Sequence, residues 1–199
     1  MAYSDFDLRK IESSFQLKII ENQNLFFNCA EVKISDFLVK TLERNVPLAQ
    51  ALNTEKARSE LILINMFLEL KEQFNVGIFS GIEFSLDKER GLNGYCDFLI
   101  SQSPEQLFLK APVIAVVEAK NENIIAGLGQ CIAEMIAIRL FNEQQNNPLD
   151  NVYGLVTTGH LWKFIKLKGD EVFIDNADYF INQPEKIIGI LAAMIKQLA

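Results

Sequence analysis

The sequence predicts an α/β fold in which a mixed central sheet is flanked by helices. Two apolar runs, residues 113–117 and residues 152–157, predict buried strands. A helical pattern at residues 124–142 separates them, and a strand–helix–strand unit of this kind forms a right-handed parallel crossover. Upstream, two alternating runs joined by a glycine-containing connector predict an antiparallel hairpin. Parallel and antiparallel pairing together predict a mixed sheet.

Length and composition indicate one soluble domain. The chain has 199 residues, 49% of them hydrophobic, and only 5 prolines, which fits a compact fold with a substantial core. No apolar run reaches the roughly 18 residues that a membrane span needs. The first residues also lack the basic start and apolar core of a signal peptide. We therefore expect a cytoplasmic protein without a membrane partner.

Cysteine and histidine usage excludes several kinds of site. The cysteines Cys29, Cys96 and Cys131 are far apart in the sequence, so we expect reduced thiols and no paired zinc motif. His160 is the only histidine, which rules out histidine-rich metal sites. Its place between two predicted strands indicates a loop residue. The formal net charge of −7 disfavours strong unaided DNA binding, because Lys and Arg dominate contacts with phosphates.

The first 50 residues predict secondary structure but no chemical motif. Residues 6–15 are amphipathic, and residues 15–20 alternate as a strand does. A helix with Ser35 as its cap is expected to stop at residues 45–47, where Pro47 stands.

The predicted domain organisation is a single domain over residues 1–199. Within it, residues 1–50 are interpreted as an N-terminal helical and strand extension packed on a core of residues 53–175. A C-terminal helix is predicted at residues 183–198, in the apolar segment that ends the sequence.

A helix predicted at residues 53–74 carries the first candidate site residue, Glu60. Asn53 or Thr54 is its expected cap. Glu60 recurs at helical spacing with apolar residues, and Lys56 is expected on a different face. The apolar residues in this row are Ala57, Ile64 and Phe67. Glu60 is therefore either a solvated helix carboxylate or an acid that faces a site.

The predicted hairpin carries the second candidate, Asp97. Its strands are expected at residues 75–86 and 94–101, joined by residues 87–93. Asp97 lies inside the second strand, where aspartate is uncommon. It either caps a nearby amide or belongs to a site.

The strand at residues 113–117 ends in two further candidates, Glu118 and Lys120. Because side chains alternate along a strand, both emerge on one face, roughly 7 Å apart. They are either an ion pair where the strand reaches water or part of a site. On the following helix, Gln130 lies in a row of small residues that permit close approach to the sheet. Gln130 is either surface decoration or a residue that faces the site.

Carboxylates that converge at the ends of neighbouring strands predict a cation. They repel one another unless a positive charge compensates, and Mg²⁺ is the usual ion for all-oxygen ligands. A bound ion polarises a phosphoryl oxygen and generates hydroxide, while a nearby ammonium offsets developing charge. This combination predicts phosphodiester hydrolysis.

In this order and context the chain resembles the PD-(D/E)XK nuclease superfamily, which has a restriction endonuclease-like fold. The resemblance rests on Asp97 in GYCDFLI and on Glu118 and Lys120 in VVEAKNEN. Glu60 in ARSELILI and Gln130 in GLGQCIAEM fall where many members have an accessory acid and a helical glutamine.

The resemblance covers residues 53–166, and it departs from the superfamily pattern at Cys96, where a proline would precede the aspartate. It implies a three-layer core with a mixed sheet between helices.

The resemblance also implies a function and roles for the residues. It implies a DNA endonuclease that uses Mg²⁺ or Mn²⁺, with Asp97, Glu118 and Glu60 as metal ligands. Lys120 would be the catalytic cation, and Gln130 would orient the site. A homodimer or another protein partner is expected by analogy. The alternative is a non-catalytic interaction or nucleic-acid-binding module that retains the nuclease fold, which the acidic composition favours.

Overall fold

The structure is a computed structural model that describes residues 1–197, and it has a mixed, open sheet of eight strands flanked by helices on both faces. The helices are α1 (Leu8–Phe15), α2 (Asp36–Leu52), α3 (Glu55–Arg58), α4 (Ile64–Phe74), α5 (Ile124–Gln144) and α6 (Pro184–Ile195). The strands are β1 (Lys18–Gln23), β2 (Gly77–Glu83), β3 (Tyr95–Ser101), β4 (Val113–Ala119), β5 (Val152–Thr157), β6 (Leu161–Lys168), β7 (Glu171–Asp175) and β8 (Tyr179–Phe180). The predicted α/β class with three layers is confirmed.

Strand β4 lies inside the sheet and joins its parallel and antiparallel parts. The strand order is β1-β7-β6-β5-β4-β3-β2, and β8 pairs with β6. β4 pairs antiparallel with β3 and parallel with β5, so α5 is the predicted crossover helix. The predicted hairpin is present as β2 and β3, which pair antiparallel. All seven residues of β4 are buried, as its continuous apolar run predicts.

Two hydrophobic clusters fill the spaces on either side of the sheet. One cluster lies between the sheet and the layer of α2, α4 and α6, and Phe67 and Trp162 are at its centre. The other lies between the sheet and α5, with Tyr3 and Ile11 from the N-terminal segment. Because successive strand residues face opposite sides, both clusters draw on β4.

Residues 1–50 contribute to all three layers. β1 pairs parallel with β7 at the sheet edge, α1 packs on α5, and α2 packs on the helical segment that begins at Glu55. Close approach of the N-terminal segment to α5 depends on Gly129, where an added Cβ would lie 2.5 Å from the Phe6 carbonyl oxygen. The N-terminal segment is therefore integrated in the sheet and in both helical layers.

The prediction that α2 stops at residues 45–47 is wrong, because Pro47 lies inside the helix. Pro47 is exposed, so the carbonyl that loses its helical hydrogen bond can be solvated. Asn45 and Ala49 are buried on either side of it. Packing of the buried face therefore outweighs the local cost of the proline.

Helix α5 is apolar because it is a core helix. Among residues 1–197 it is the one helix with the length and apolar composition to cross a membrane, yet 61% of its most apolar window is buried inside the protein. This burial is typical of soluble proteins. The predicted C-terminal helix is present as α6, and residue 198, the last of its predicted range, lies outside the described residues. The three cysteines are free thiols, as predicted.

Candidate active site

Glu118 and Lys120 form a largely buried ion pair at the end of β4. Glu118 is 3% exposed, and the Lys120 Nζ lies 2.6 Å from its Oε1. The Lys120 side chain lies against Gly127 of α5, where an added Cβ would come within 3.0 Å of the Lys120 Cε. Glycine at position 127 therefore leaves the space that the lysine occupies. The other oxygen, Glu118 Oε2, is buried and has no hydrogen-bond partner within residues 1–197.

Asp97 meets this pair from the neighbouring strand. The register of β3 and β4 pairs Phe98 with Val117, so Asp97 lies opposite Glu118. Its Oδ2 accepts a hydrogen bond of 2.8 Å from the Ala119 amide. One Asp97 oxygen therefore caps a nearby amide, which is one of the two alternatives that the sequence leaves open. Asp97 nevertheless lies beside Glu118, so it also belongs to the cluster.

The hairpin changes its side-chain alternation beside Asp97. Cys96 and Leu99 belong to the same hydrophobic cluster, although three-residue spacing puts side chains of a regular strand on opposite faces. The partner strand has the left-handed Gly81 (φ 61°) opposite Asp97. The irregularity therefore lies next to Asp97, at Cys96, and regular alternation from Leu99 already puts Asp97 on the α5 side of the sheet.

Strand β2 changes its alternation at the same position. Phe79 and Ile82 pack in one cluster while Ile78 packs in the other. The regular alternation predicted for this run would put Ile78 and Ile82, four residues apart, on one face, and that prediction is wrong. Gly81 with its positive φ provides the physical reason.

Helix α5 places Gln130 on the far side of Lys120. The Lys120 Nζ donates to Gln130 Oε1 over 3.2 Å, so Gln130 faces the site and is not surface decoration. The Gln130 Nε2 donates to Glu134 Oε1 over 3.1 Å. Glu134 is fully buried, and its Oε2 is without a partner among the described residues. Glu118, Lys120, Gln130 and Glu134 therefore form one chain of polar contacts.

Glu134 was not predicted from the sequence. It follows Gln130 by four residues, and residues at this spacing are neighbours on one face of a helix. The sequence signal for Glu134 is a carboxyl group four residues after Gln130 in an otherwise apolar stretch.

Glu60 does not join the cluster, which corrects the prediction that it is a metal ligand. Its side chain is 64% exposed and forms an ion pair of 3.8 Å with Lys56. On this helical segment the acid that contacts the site is Glu55 instead. Its Oε1 accepts a hydrogen bond of 3.0 Å from the Asn121 amide, directly after Lys120.

A π-helical segment, Ser59–Leu63, explains the misplacement of Glu60. The Ile64 amide bonds to the Ser59 carbonyl five residues back, so this turn contains one more residue than an α-turn. The apolar face continues with Ile62 and Leu63, and Glu60 turns to solvent. The Leu61 carbonyl accepts hydrogen bonds from the side chains of Asn45 and Asn65.

Arg58 and Asn121 border the open side of the site. The Arg58 Nη1 donates to the Lys120 carbonyl at 3.5 Å, and its Nη2 donates to Asn53 Oδ1 at 2.6 Å. The Asn121 Oδ1 is buried and has no hydrogen-bond partner in the described chain. The guanidinium of Arg58 therefore lies next to the end of β4, where its hydrogen bond to the exposed Asn53 fixes its position.

Burial and crowding shift the pKa values of the three carboxyl groups upward. Burial, followed by the charge of Asp97, raises the pKa of Glu118 to about 7, and Lys120 offsets part of this. Burial also raises the pKa of Asp97, although the Ala119 amide and Lys120 oppose the shift. Burial and then the Glu118 charge raise the pKa of Glu134 well above its usual range.

Lys120 keeps its proton despite being half-buried. Burial alone would lower the pKa of its ammonium, but the charge and hydrogen bond of Glu118 outweigh this effect and raise the pKa. The site therefore combines a protonated lysine with carboxyl groups that ionise reluctantly unless positive charge is added.

The donor set fits a divalent cation in part. Asp97 and Glu118 supply carboxylate oxygens, the ligands that Mg²⁺ and Mn²⁺ prefer. Glu118 Oε2 is buried and has no hydrogen-bond partner in the part of the chain that the structure describes. Within residues 1–197, no three His, Cys, Asp or Glu residues are grouped to hold a metal ion by themselves. A cation here would therefore rely on these two carboxylates, with water or substrate oxygens completing its coordination.

Four of the five predicted site residues lie together at the end of β4: Asp97, Glu118, Lys120 and Gln130. Comparison of the chain with models of known protein families gives no match, and comparison with curated proteins gives none either. Function is therefore argued from the chemistry of the site.

Proposed function

We propose that this protein is a metal-dependent nuclease that hydrolyses phosphodiester bonds, with DNA as its substrate. The observation that carries the proposal is the buried Oε2 of Glu118, which has no hydrogen-bond partner within residues 1–197. Glu118 lies next to Asp97 in the sheet, and its other oxygen binds Lys120. A buried carboxylate oxygen without a partner is costly. Binding of a cation would offset that cost. The resemblance to PD-(D/E)XK nucleases supports the same proposal.

Asp97 and Glu118 are the residues that would hold Mg²⁺ or Mn²⁺. The bound ion would supply Lewis-acid activation of a phosphoryl oxygen and a hydroxide nucleophile at neutral pH. Asp97 can serve as a ligand through the carboxylate oxygen that does not bind the Ala119 amide. Lys120 and this amide thus fix one oxygen of each carboxylate and leave the other available.

Lys120 is the residue proposed to stabilise the negative charge that develops on the phosphoryl group. An ammonium has three N–H donors, and Glu118 Oε1 and Gln130 Oε1 accept two of them. The third donor is available to a substrate oxygen, because the lysine side chain is still 23% exposed. Arg58 at the border of the site would contact a neighbouring phosphate.

A protein partner or second copy is proposed to contribute to DNA binding. The formal net charge of the chain is −7, and phosphate contacts depend on Lys and Arg. Arg58 and Lys56 provide positive charge near the site, but Glu55 and Glu60 lie on the same helical segment. We therefore expect weak DNA affinity for the isolated chain.

The test is cleavage of single-stranded, duplex and branched DNA by the purified protein in Mg²⁺ or Mn²⁺. Asp97→Asn keeps an oxygen for the Ala119 amide but removes the ionisable ligand, so we expect cleavage to fall by about a thousandfold. Glu60→Gln is the matched control, since its exposed side chain is outside the cluster, and it should cleave like the wild type. Cleavage that survives in Asp97→Asn, or in the presence of EDTA, would contradict the proposal.

The alternative is a non-catalytic interaction module that retains this fold. Two observations favour it: the acidic net charge, and the absence of a three-residue metal-ligand group among the residues described. In such a module the Glu118–Lys120 pair would be a structural ion pair. Wild-type protein that neither cleaves DNA nor binds a divalent ion through Asp97 would favour this alternative.

A further inference from the structure

We infer that Glu134 is a positioning residue, which fixes the orientation of the Gln130 amide and thereby the place of the Lys120 ammonium. The inference rests on the proposed function for its catalytic consequence. Its structural part rests on the contacts among these three side chains alone, from Glu134 Oε1 to Gln130 Nε2 and from Gln130 Oε1 to Lys120 Nζ.

The Gln130 amide has one productive orientation. Its oxygen must face the Lys120 ammonium, which is a donor only, and its NH₂ group must then face away. Glu134 Oε1 accepts from that NH₂ group over 3.1 Å. In the flipped orientation the NH₂ group would face the ammonium and the amide oxygen would face the Glu134 carboxyl. Glu134 therefore favours the orientation in which Gln130 accepts from Lys120.

Glu134 is a poor choice for packing alone. It is fully buried on α5, between the buried residues Ala133 and Met135. One carboxyl oxygen has no hydrogen-bond partner in the described part of the chain, and burial of an unsatisfied polar group destabilises a fold. A methionine of similar length would fill the site without that cost. The single hydrogen bond to Gln130 is the contact that distinguishes glutamate from an apolar residue here.

The two acceptors of the Lys120 ammonium show why the orientation of Gln130 matters. Lys120 lies between Glu118 Oε1 at 2.6 Å and Gln130 Oε1 at 3.2 Å. Loss of the Gln130 acceptor would leave the lysine held by Glu118 alone. Its ammonium could then move away from the position that presents its third donor to substrate.

The experiment compares Glu134→Met with Glu134→Gln in the full chain. Glu134→Met removes the acceptor, whereas Glu134→Gln keeps a carbonyl oxygen for the Gln130 NH₂ group. Glu143→Met, at an exposed position of the same helix, is the matched control. The structural readout is the ¹⁵N-resolved NMR signal of the Gln130 side-chain amide, assigned by its loss in Gln130→Met.

In the wild type and in Glu134→Gln we expect a slowly exchanging Gln130 amide with nuclear Overhauser contacts to Lys120. In Glu134→Met we expect fast exchange and loss of these contacts, with a melting temperature equal to or above that of the wild type. Cleavage should fall about tenfold in kcat, with KM changed by less than about twofold, since supporting residues typically contribute effects of this size. Glu134→Gln should restore most of the rate.

An unchanged Gln130 amide in Glu134→Met would overturn the inference. If that variant does not fold, the wild-type spectrum decides, because a Gln130 amide that exchanges as fast as an exposed glutamine would also overturn it. A wild type that does not cleave DNA would refute the proposed function while leaving the amide signals as the test of Glu134.

Discussion

Two buried glutamates, Glu69 and Glu118, show how structural and candidate functional acids differ in this protein. Glu69 on α4 is 6% exposed, and its carboxylate accepts from the Ser35 amide at 2.8 Å, the Ser35 hydroxyl at 2.6 Å and the Gln73 side chain at 2.8 Å. Glu118 is similarly buried, but among the described residues only one of its oxygens has a hydrogen-bond partner. The first carboxylate is satisfied by the fold, and the second is not.

The pKa shifts of these two groups have opposite signs for this reason. Burial would raise the pKa of Glu69, but its hydrogen bonds from Ser35 and Gln73 outweigh burial and lower it. Burial and the Asp97 charge raise the pKa of Glu118 to about 7. A buried acid with all its hydrogen bonds stabilises the fold. One with an open oxygen is kept at a cost to stability, as ligand-binding groups often are.

The largest expected effect is on cleavage. Glu118→Gln should lower the rate by at least about a hundredfold, because it replaces a carboxylate metal ligand by a neutral amide. Glu69→Gln, the same change on the other side of the sheet, should leave the rate within about twofold of the wild type. Single-turnover cleavage of DNA measures both. Equal rates for Glu118→Gln and wild type would remove Glu118 from the site.

The effect on stability should be reversed between the two variants. Glu69→Gln places an NH₂ group where Ser35 or Gln73 donates, so we expect a loss of about 2–3 kcal/mol in the free energy of unfolding. Glu118→Gln should be close to neutral, because it removes a poorly satisfied buried charge while its amide oxygen can still accept from the partly exposed Lys120 ammonium. Urea unfolding at pH 7 in EDTA measures both values. Strong destabilisation by Glu118→Gln would mean that its ion pair with Lys120 is structural.

Stability should also depend on pH with opposite signs at the two sites. The pKa of Glu118 is raised in the folded state, so its contribution is most favourable below the unfolded value of about 4.3 and decreases as the pH rises toward 7. The stability of Glu118→Gln relative to the wild type should therefore rise over this range, by an amount on the order of 3 kcal/mol.

For Glu69 the lowered pKa gives the opposite dependence. Its stabilisation is present above the unfolded value of about 4.3 and is lost as the pH falls through the folded pKa. The deficit of Glu69→Gln should therefore shrink in acid. Urea unfolding between pH 3 and pH 8 checks both slopes, and parallel curves for the two variants would show that the carboxylates do not differ as described.

The smallest expected effect is a difference in cleavage rate between variants of Glu55 and Glu60, two acids on one helical segment. Glu55→Gln should lower cleavage about fivefold, equivalent to about 1 kcal/mol, because it keeps an acceptor for the Asn121 amide but removes the negative charge that Glu55 adds near Asp97. Glu60→Gln should have no measurable effect. The ratio of the two rates in the same DNA cleavage assay measures the difference. A larger loss of cleavage rate in Glu60→Gln than in Glu55→Gln would contradict the structure, in which Glu55 contacts the site and Glu60 faces solvent.

Much of the central architecture is predictable from local patterns. The run from Val113 to Val117 has no polar interruption, so it predicts a buried strand, and simple alternation puts Glu118 and Lys120 on one face. The crossover helix follows from its length and position between strands. Gln130 is brought to Lys120 because glycine and alanine on that helix allow close approach to the sheet.

The remaining features depend on contacts that local patterns do not contain. The π-helical turn moves Glu60 to solvent, and it is supported by Asn45 from another helix. The change of side-chain alternation beside Asp97 accompanies the left-handed backbone of Gly81 in the adjacent strand. Helix α2 continues through Pro47 because its buried face packs on other elements. In each case a tertiary partner overrides the regular period.

Calorimetric titration of Mn²⁺ or Mg²⁺ into the purified protein at neutral pH tests the central claim most directly. We expect the wild type and Glu60→Gln to bind the ion at one site with equal affinity, and Asp97→Asn to bind it at least about tenfold more weakly. A wild type that binds no divalent ion, or binds it equally well after Asp97→Asn, would contradict a metal-dependent site at the end of β4.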